Sequence, residues 1–135
     1  EVTGADLAER FRGRSGPVKA LLLDQSVIPG VGNMYADEAL WRTQIALNRA
    51  AGDVTEDGAD RLAWAIREIL QAGITVGDTT FGDRAYVGVD GQAVRGWDLL
   101  AAYGRAGEPC QRCGEAIIRS TVAGRGTHWC PRCQR

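Results

Sequence analysis

Four cysteines form the most informative spacing in the sequence. Cys110, Cys113, Cys130 and Cys133 follow a C-x2-C-x16-C-x2-C pattern. Each close pair can hold one side of a metal ion, and the stretch between the pairs is long enough to form a hairpin that brings them together. Four thiolates suit tetrahedral Zn²⁺ and leave no coordination position for water or substrate. The spacing therefore predicts one structural zinc ion in a C-terminal zinc ribbon.

Two other uses of four cysteines are weighed against zinc. Two disulfides would need an oxidising compartment, and the N-terminus lacks the basic-then-apolar pattern of a signal peptide. An iron–sulfur cluster also takes four thiolates, and it too is less favoured than zinc. His128 stands two residues before Cys130. Because four thiolates complete the site, we interpret His128 as a packing or hydrogen-bonding residue of the second strand.

A glycine-rich turn at residues 29–33 is a second candidate site. Backbone amides at a helix N-terminus attract anions, and Gly30 and Gly32 would allow a phosphate to approach closely. Asn33 adds a side-chain donor, and Lys19 on the preceding helix could reach the same anion. The same residues also fit a simple tight corner in which Asn33 caps the next helix. The pattern alone leaves both interpretations open.

The distribution of charge says more than its sum. A net charge of −1 argues weakly against a nucleic-acid partner. Residues 104–135, however, contain six arginines and only two glutamates, whereas residues 53–60 are acidic. Arg125 is placed between Gly124 and Gly126, where a flexible turn would let its side chain project outward. Without further information, a solvated turn arginine is the simpler interpretation.

Apolar periodicity predicts a mainly α fold, with a helical bundle followed by a β-hairpin ribbon. We place one domain at residues 1–103 and the ribbon at residues 104–135. No apolar run is long enough to span a membrane, so we expect a soluble, cytoplasmic protein without a membrane partner. The predicted helices cover residues 3–11, 17–25, 33–41, 55–73 and 97–103; a glycine-rich loop covers 74–96; the first ribbon strand covers 116–122, followed by a turn at 124–126.

Four segments resemble one protein family. They are residues 19–25 (KALLLDQ), 29–40 (PGVGNMYADEAL), 103–110 (YGRAGEPC) and 127–134 (THWCPRCQ). Together they are similar to the C-terminal half of the formamidopyrimidine-DNA glycosylase and endonuclease VIII family. The resemblance covers nearly the whole chain. It implies a helix-two-turns-helix element and a zinc ribbon that clamp duplex DNA around a damaged, flipped-out base.

The resemblance also implies roles for particular residues. Lys19 and Asn33, with the turn of Gly30 and Gly32, would bind phosphates near the lesion, and Arg125 would hold the phosphates beside the everted nucleotide. These contacts position the DNA and do not read its bases. We expect a monomer, associated with the nucleoid, whose partner is double-stranded DNA with abasic or oxidised bases.

The family's N-terminal β-sandwich, with its nucleophilic proline and adjacent glutamate, has no counterpart in these residues. We therefore expect no catalytic residue and no base excision by this chain alone. It would be the DNA-binding portion of a DNA glycosylase/AP lyase, or a naturally shortened paralogue that acts as a DNA or protein-interaction module. An enzyme using Lys19 as a Schiff-base amine, and a module for RNA, are the remaining hypotheses.

Overall fold

The computed structural model describes residues 3–24, Ser26, 31–72 and 100–135. Gly30 and the loop predicted at 74–96 lie outside these residues. In the described part, a helical bundle is followed by a two-stranded sheet, in the predicted order. No helix there is both long and apolar enough to cross a membrane. The elements are α1 (Gly4–Phe11), α2 (Val18–Leu23), α3 (Asn33–Thr43), a 3-10 turn (Ala51–Asp53), α4 (Glu56–Gln71), β1 (Ile118–Val122) and β2 (Arg125–Trp129).

Side chains cap two of the helices. The sequence predicts both caps, because Thr3 is followed three residues later by Asp6 and Thr55 precedes the apolar stripe of the fourth helix. The Thr3 hydroxyl accepts from the N–H of Asp6, and the Asp6 carboxylate accepts from the N–H of Thr3, forming a capping box at the start of α1. The Thr55 hydroxyl accepts from the N–H of Gly58 at the start of α4. The cap predicted for α3 is wrong. Gly32 occupies the N-cap and Asn33 is the first helical residue, because the Asn33 side chain is hydrogen-bonded elsewhere.

The apolar stripes of the helices meet in one core. Helix α4 packs against both α1 and α3, and β2 packs against α3. The helical spacing predicts Leu70 in this core, but Leu70 is 46% exposed in the last turn of α4. The fully buried large residues include Leu7, Phe11, Leu22, Leu40, Ile45, Leu62, Ile66, Ile69 and Leu100.

The ribbon hairpin is shorter than the sequence suggests. Strands β1 and β2 pair antiparallel from Ile118↔Trp129 to Val122↔Arg125. The connecting turn is Ala123–Gly124, one residue before the predicted position, with φ values of 53° and 76°. Positive φ at both central residues matches the twist that a two-residue hairpin needs. The predicted strand start at residue 116 is also wrong, because Ala116 pairs only in an isolated bridge to Pro109.

The chain enters the ribbon through a segment held by one carboxylate. Glu38 of α3 is buried, and it accepts hydrogen bonds from the N–H groups of Ala101, Ala102 and Tyr103 at 2.8 to 2.9 Å. Burial raises the pKa of Glu38, and the three N–H groups oppose that rise. The helix predicted at 97–103 is wrong for its described part, because residues 100–103 form a bend and turn around this carboxylate.

Removing this carboxylate should destabilise the fold strongly. We expect Glu38→Ala to lower the free energy of unfolding by at least about 3 kcal/mol, because two buried N–H groups and the half-buried N–H of Tyr103 lose their acceptor. Urea denaturation followed by circular dichroism measures the change. Glu9→Ala, on the exposed face of α1, should change it by less than about 0.5 kcal/mol. Equal effects of the two substitutions would contradict this account of Glu38.

Candidate nucleic-acid interface and metal centre

Helix α3 presents one row of side chains to the ribbon. Asn33, Asp37 and Trp41 are spaced four residues apart, so they share a helix face, and we call them the α3 stripe. Each member binds a different point along the ribbon. The hydrogen bonds run from Asn33 Nδ2 to Gly126 O (2.9 Å), from His128 N to Asp37 Oδ2 (3.0 Å) and from Trp41 Nε1 to Cys110 Sγ (3.3 Å).

A buried ion pair reinforces the middle of this stripe. Lys19 is the sole lysine of the sequence and is completely buried, with its Nζ 2.6 Å from Asp37 Oδ1. The same ammonium donates to Thr127 Oγ1 at 2.6 Å and to Gly126 O at 3.3 Å. Burial lowers the pKa of Lys19, while the Asp37 carboxylate raises it. The Lys19 ammonium is hydrogen-bonded and buried. It is therefore poorly placed to attack a DNA sugar and form the Schiff base considered above.

These contacts fix the hairpin just behind Arg125. The backbone of Gly126, the hydroxyl of Thr127 and the N–H of His128 are all bound by helical side chains. The His128 ring meets the Tyr103 ring edge-on at 5.4 Å, which confirms its predicted packing role. Arg125 itself is exposed, and its guanidinium has no partner in the described part of the chain.

The structure brings three of the predicted site residues together. Arg125, Asn33 and Lys19 converge at the hairpin tip, and Arg125 is close enough to lower the pKa of Lys19. Gly32 adjoins them at the N-terminus of α3, which no side chain of the described residues caps. Gly30 lies outside the described residues. The arrangement places an exposed cation beside the N-terminus of a helix, which suits an anion.

The four cysteines lie at the opposite end of the ribbon. Their sulfur atoms all fall within 4.8 Å of one another, with 3.9 Å between Cys110 and Cys133 and 3.5 Å between Cys113 and Cys130. Tetrahedral zinc with Zn–S bonds of about 2.3 Å places its sulfurs about 3.8 Å apart. All four are free, and neither of these two separations allows a disulfide bond. The cluster therefore fits one zinc ion.

Comparisons with known proteins identify the family. The H2TH domain of formamidopyrimidine-DNA glycosylase matches residues 1–85, and the zinc finger found in FPG and IleRS matches residues 107–135. The chain is 49% identical to a formamidopyrimidine-DNA glycosylase of Roseiflexus sp. over 129 residues, covering 96% of this chain and 46% of that protein. The chain belongs to the formamidopyrimidine-DNA glycosylase family. Its zinc finger holds one structural zinc ion, as predicted.

Solved structures of the family have the same fold. The MutM (Fpg) protein of Thermus thermophilus matches with a TM-score of 0.83 at 43% identity, over 98% of this chain and 50% of that one. A Lactococcus lactis Fpg in complex with DNA containing an abasic site matches with a TM-score of 0.81 at 35% identity, over 98% and 47%. The chain thus spans about half the length of the relatives it matches.

The zinc site of this family member is tied to α3 by Trp41. Besides its hydrogen bond to Cys110, the Trp41 ring lies 3.9 Å from the Arg112 guanidinium, which donates to Trp41 O at 2.9 Å. Burial opposes ionisation of Cys110, but N–H groups of Arg112, Cys113 and Trp41 outweigh it and lower its pKa to about 6. Burial raises the pKa of Cys133 to about 12, and a hydrogen bond with the Cys113 side chain adds to the rise. A divalent cation would hold both as thiolates.

Sequence reasoning missed two members of the α3 stripe. Asp37 and Trp41 read as ordinary positions on a helix, yet both follow Asn33 at intervals of four. Once Asn33 is assigned to a site, that spacing is the signal that could have found them. Gln134 was missed as well. Its side chain donates to Ile45 O at 3.0 Å and accepts from Cys130 N at 2.9 Å, joining a metal ligand to the helical core.

Breaking the buried ion pair should be costly. We expect Lys19→Met to lower the free energy of unfolding by about 3 to 5 kcal/mol, because it leaves the Asp37 charge buried without its counter-ion. Urea denaturation of Lys19→Met, Asp37→Leu and the double variant should show that the two losses are far from additive. Arg42→Met, which breaks an exposed pair with Glu68, should cost under about 1 kcal/mol. Additive effects would contradict direct coupling.

Trp41 should influence how tightly zinc is held. We expect Trp41→Phe to weaken zinc binding by about 10-fold to 100-fold, because the ring is kept while the N–H donor to Cys110 is lost. Competition with a chromogenic chelator measures the affinity. Trp64→Phe is the matched control, because Trp64 is 59% exposed on α4. Unchanged zinc affinity in Trp41→Phe would show that the N–H···S contact has no bearing on the metal.

Proposed function

We propose that this chain is the DNA-binding portion of a base-excision-repair DNA glycosylase/AP lyase, and that it grips backbone phosphates of damaged duplex DNA. One observation carries the proposal. Arg125 is an exposed guanidinium with no partner in the described residues, on a hairpin tip fixed from behind by Lys19, Asn33 and Asp37. Such an arrangement pre-positions a cation at little conformational cost on binding.

The predicted site residues take distinct roles in this proposal. Arg125 contacts a phosphate directly, with the bidentate geometry that a guanidinium allows. Asn33 and Gly32 present donors at the N-terminus of α3 to a neighbouring phosphate, while the predicted contribution of Gly30 falls outside the described residues. Lys19 orients the hairpin that carries Arg125, since its buried ammonium binds Asp37 and Thr127.

Relatives support damaged DNA as the partner. Lactococcus lactis Fpg has been solved with DNA containing an abasic site and with DNA containing Fapy-dG. We extend that partner class to this chain, as a monomer at the nucleoid. We also propose that these 135 residues bind without excising a base, because they contain no counterpart of the family's nucleophilic proline and adjacent glutamate. Their single lysine, the alternative amine, is buried in an ion pair.

Loss of Arg125 should weaken binding in a salt-dependent way. We expect Arg125→Ala to reduce affinity for a duplex carrying an abasic-site analogue, because one charge-assisted phosphate contact disappears. The slope of log K against log [KCl] should fall in magnitude by about 1. Fluorescence anisotropy over a KCl series measures both quantities.

The control for this experiment is Arg12→Ala. Arg12 is exposed after α1, an element that packs against α4. This substitution removes the same charge and should leave affinity and slope nearly unchanged. If Arg125→Ala binds as the unmodified chain does at low salt, the proposed grip at the hairpin tip is wrong. Zinc content and circular dichroism of each variant establish that the fold is intact.

A further inference from the structure

A second arginine lies against the hairpin tip. Arg119 is in β1 and pairs with His128, so its side chain can reach diagonally to Gly126 on the same face of the hairpin. A Cβ placed on Gly126 would lie 2.6 Å from Arg119 Nη2 and 3.1 Å from both Cζ and Nε. The Arg119 guanidinium therefore lies flat across Gly126, in space that any other residue would fill.

The Arg119 guanidinium is not neutralised. It is exposed and makes no ion pair or hydrogen bond within the part of the chain that the structure describes. Other arginines do find partners, such as Arg105 with Glu108 at 2.7 Å and Arg61 with Asp57 at 3.0 Å. The hairpin itself, residues 118–129, contains no acidic residue.

Two unneutralised cations thus flank one glycine. Arg125 immediately precedes Gly126, and strand alternation directs its side chain to the face opposite the one that Arg119 covers. The nearest carboxylate on α3 is Asp37, and it is already paired with Lys19. The hairpin tip therefore has a local positive charge that favours binding of an anion with more than one phosphate. The whole chain, by contrast, has a net charge of −1.

We propose that Arg119 is a second phosphate-contacting residue, which holds a backbone phosphate of the same DNA that Arg125 grips. This inference rests on the proposed function of the hairpin tip. A guanidinium that already lies flat on backbone loses few rotamers when it binds, so the contact costs little side-chain entropy. Gly126 is the feature that allows it, since its missing side chain leaves room for the Arg119 guanidinium on the face of the hairpin opposite Arg125.

The test is a salt series on single and double variants. Arg119→Ala should weaken binding to the abasic-analogue duplex and lower the salt slope by about 1, and Arg119→Ala with Arg125→Ala should lower it by about 2. Arg119→Lys should keep most of the slope, because it retains the charge. Gly126→Ala should lose part of the affinity, because its methyl group displaces the guanidinium while the flexible side chain can move away without unfolding the hairpin.

The outcomes separate this inference from the function on which it rests. If Arg119→Ala keeps the affinity and slope of the unmodified chain while Arg125→Ala loses both, Arg119 is a solvated surface residue and the inference is overturned, whereas the proposed function stands. If the unmodified chain shows no salt-dependent binding to duplex DNA, the proposed function fails and the inference falls with it. Arg12→Ala again controls for loss of charge alone.

Discussion

The buried ion pair between Lys19 and Asp37 is the contact on which the arrangement of the hairpin tip depends. Two charges removed from water are stable only when their remaining hydrogen-bonding groups are satisfied. Here the hairpin satisfies them, through Thr127 Oγ1, Gly126 O and the N–H of His128. The helices therefore cannot bury the pair well without the hairpin, and the pair in turn holds the hairpin tip against the helices, together with the hydrogen bond from Asn33 to Gly126 O.

The α3 stripe explains how one helix serves both ends of the ribbon. From Asn33 to Trp41 the helix rises about 12 Å. From Gly126 to Cys130 an extended strand covers about 13 Å. The helix and the strand therefore cover nearly the same distance. As a result, one face of α3 contacts the hairpin tip at the start of the helix and the metal centre near the end of the helix. Zinc thereby fixes the cysteine end of the ribbon, and the opposite end, the hairpin tip, presents Arg125.

Sequence patterns predicted the features that depend on local spacing. The capping box at Thr3, the cap at Thr55 and the four-cysteine cluster follow from residue types at short, regular intervals. Two of the failures have a common cause. Asn33 could equally cap its own helix or reach another element, and residues 100–103 have helical composition but bend around Glu38. In each case a partner distant in sequence outcompeted the local preference.

By itself the sequence determined the order of helices and ribbon, the zinc ligands and the family. These depend on periodicity and on motifs that can be recognised from residue types and spacing alone. Only the tertiary structure decided what the charges do. In the folded chain Lys19 is buried against Asp37, Arg125 is exposed, and the Arg119 guanidinium lies across Gly126. The physical reason is that a charge is defined by its neighbours and its access to water, and the fold brings those neighbours from about a hundred residues away.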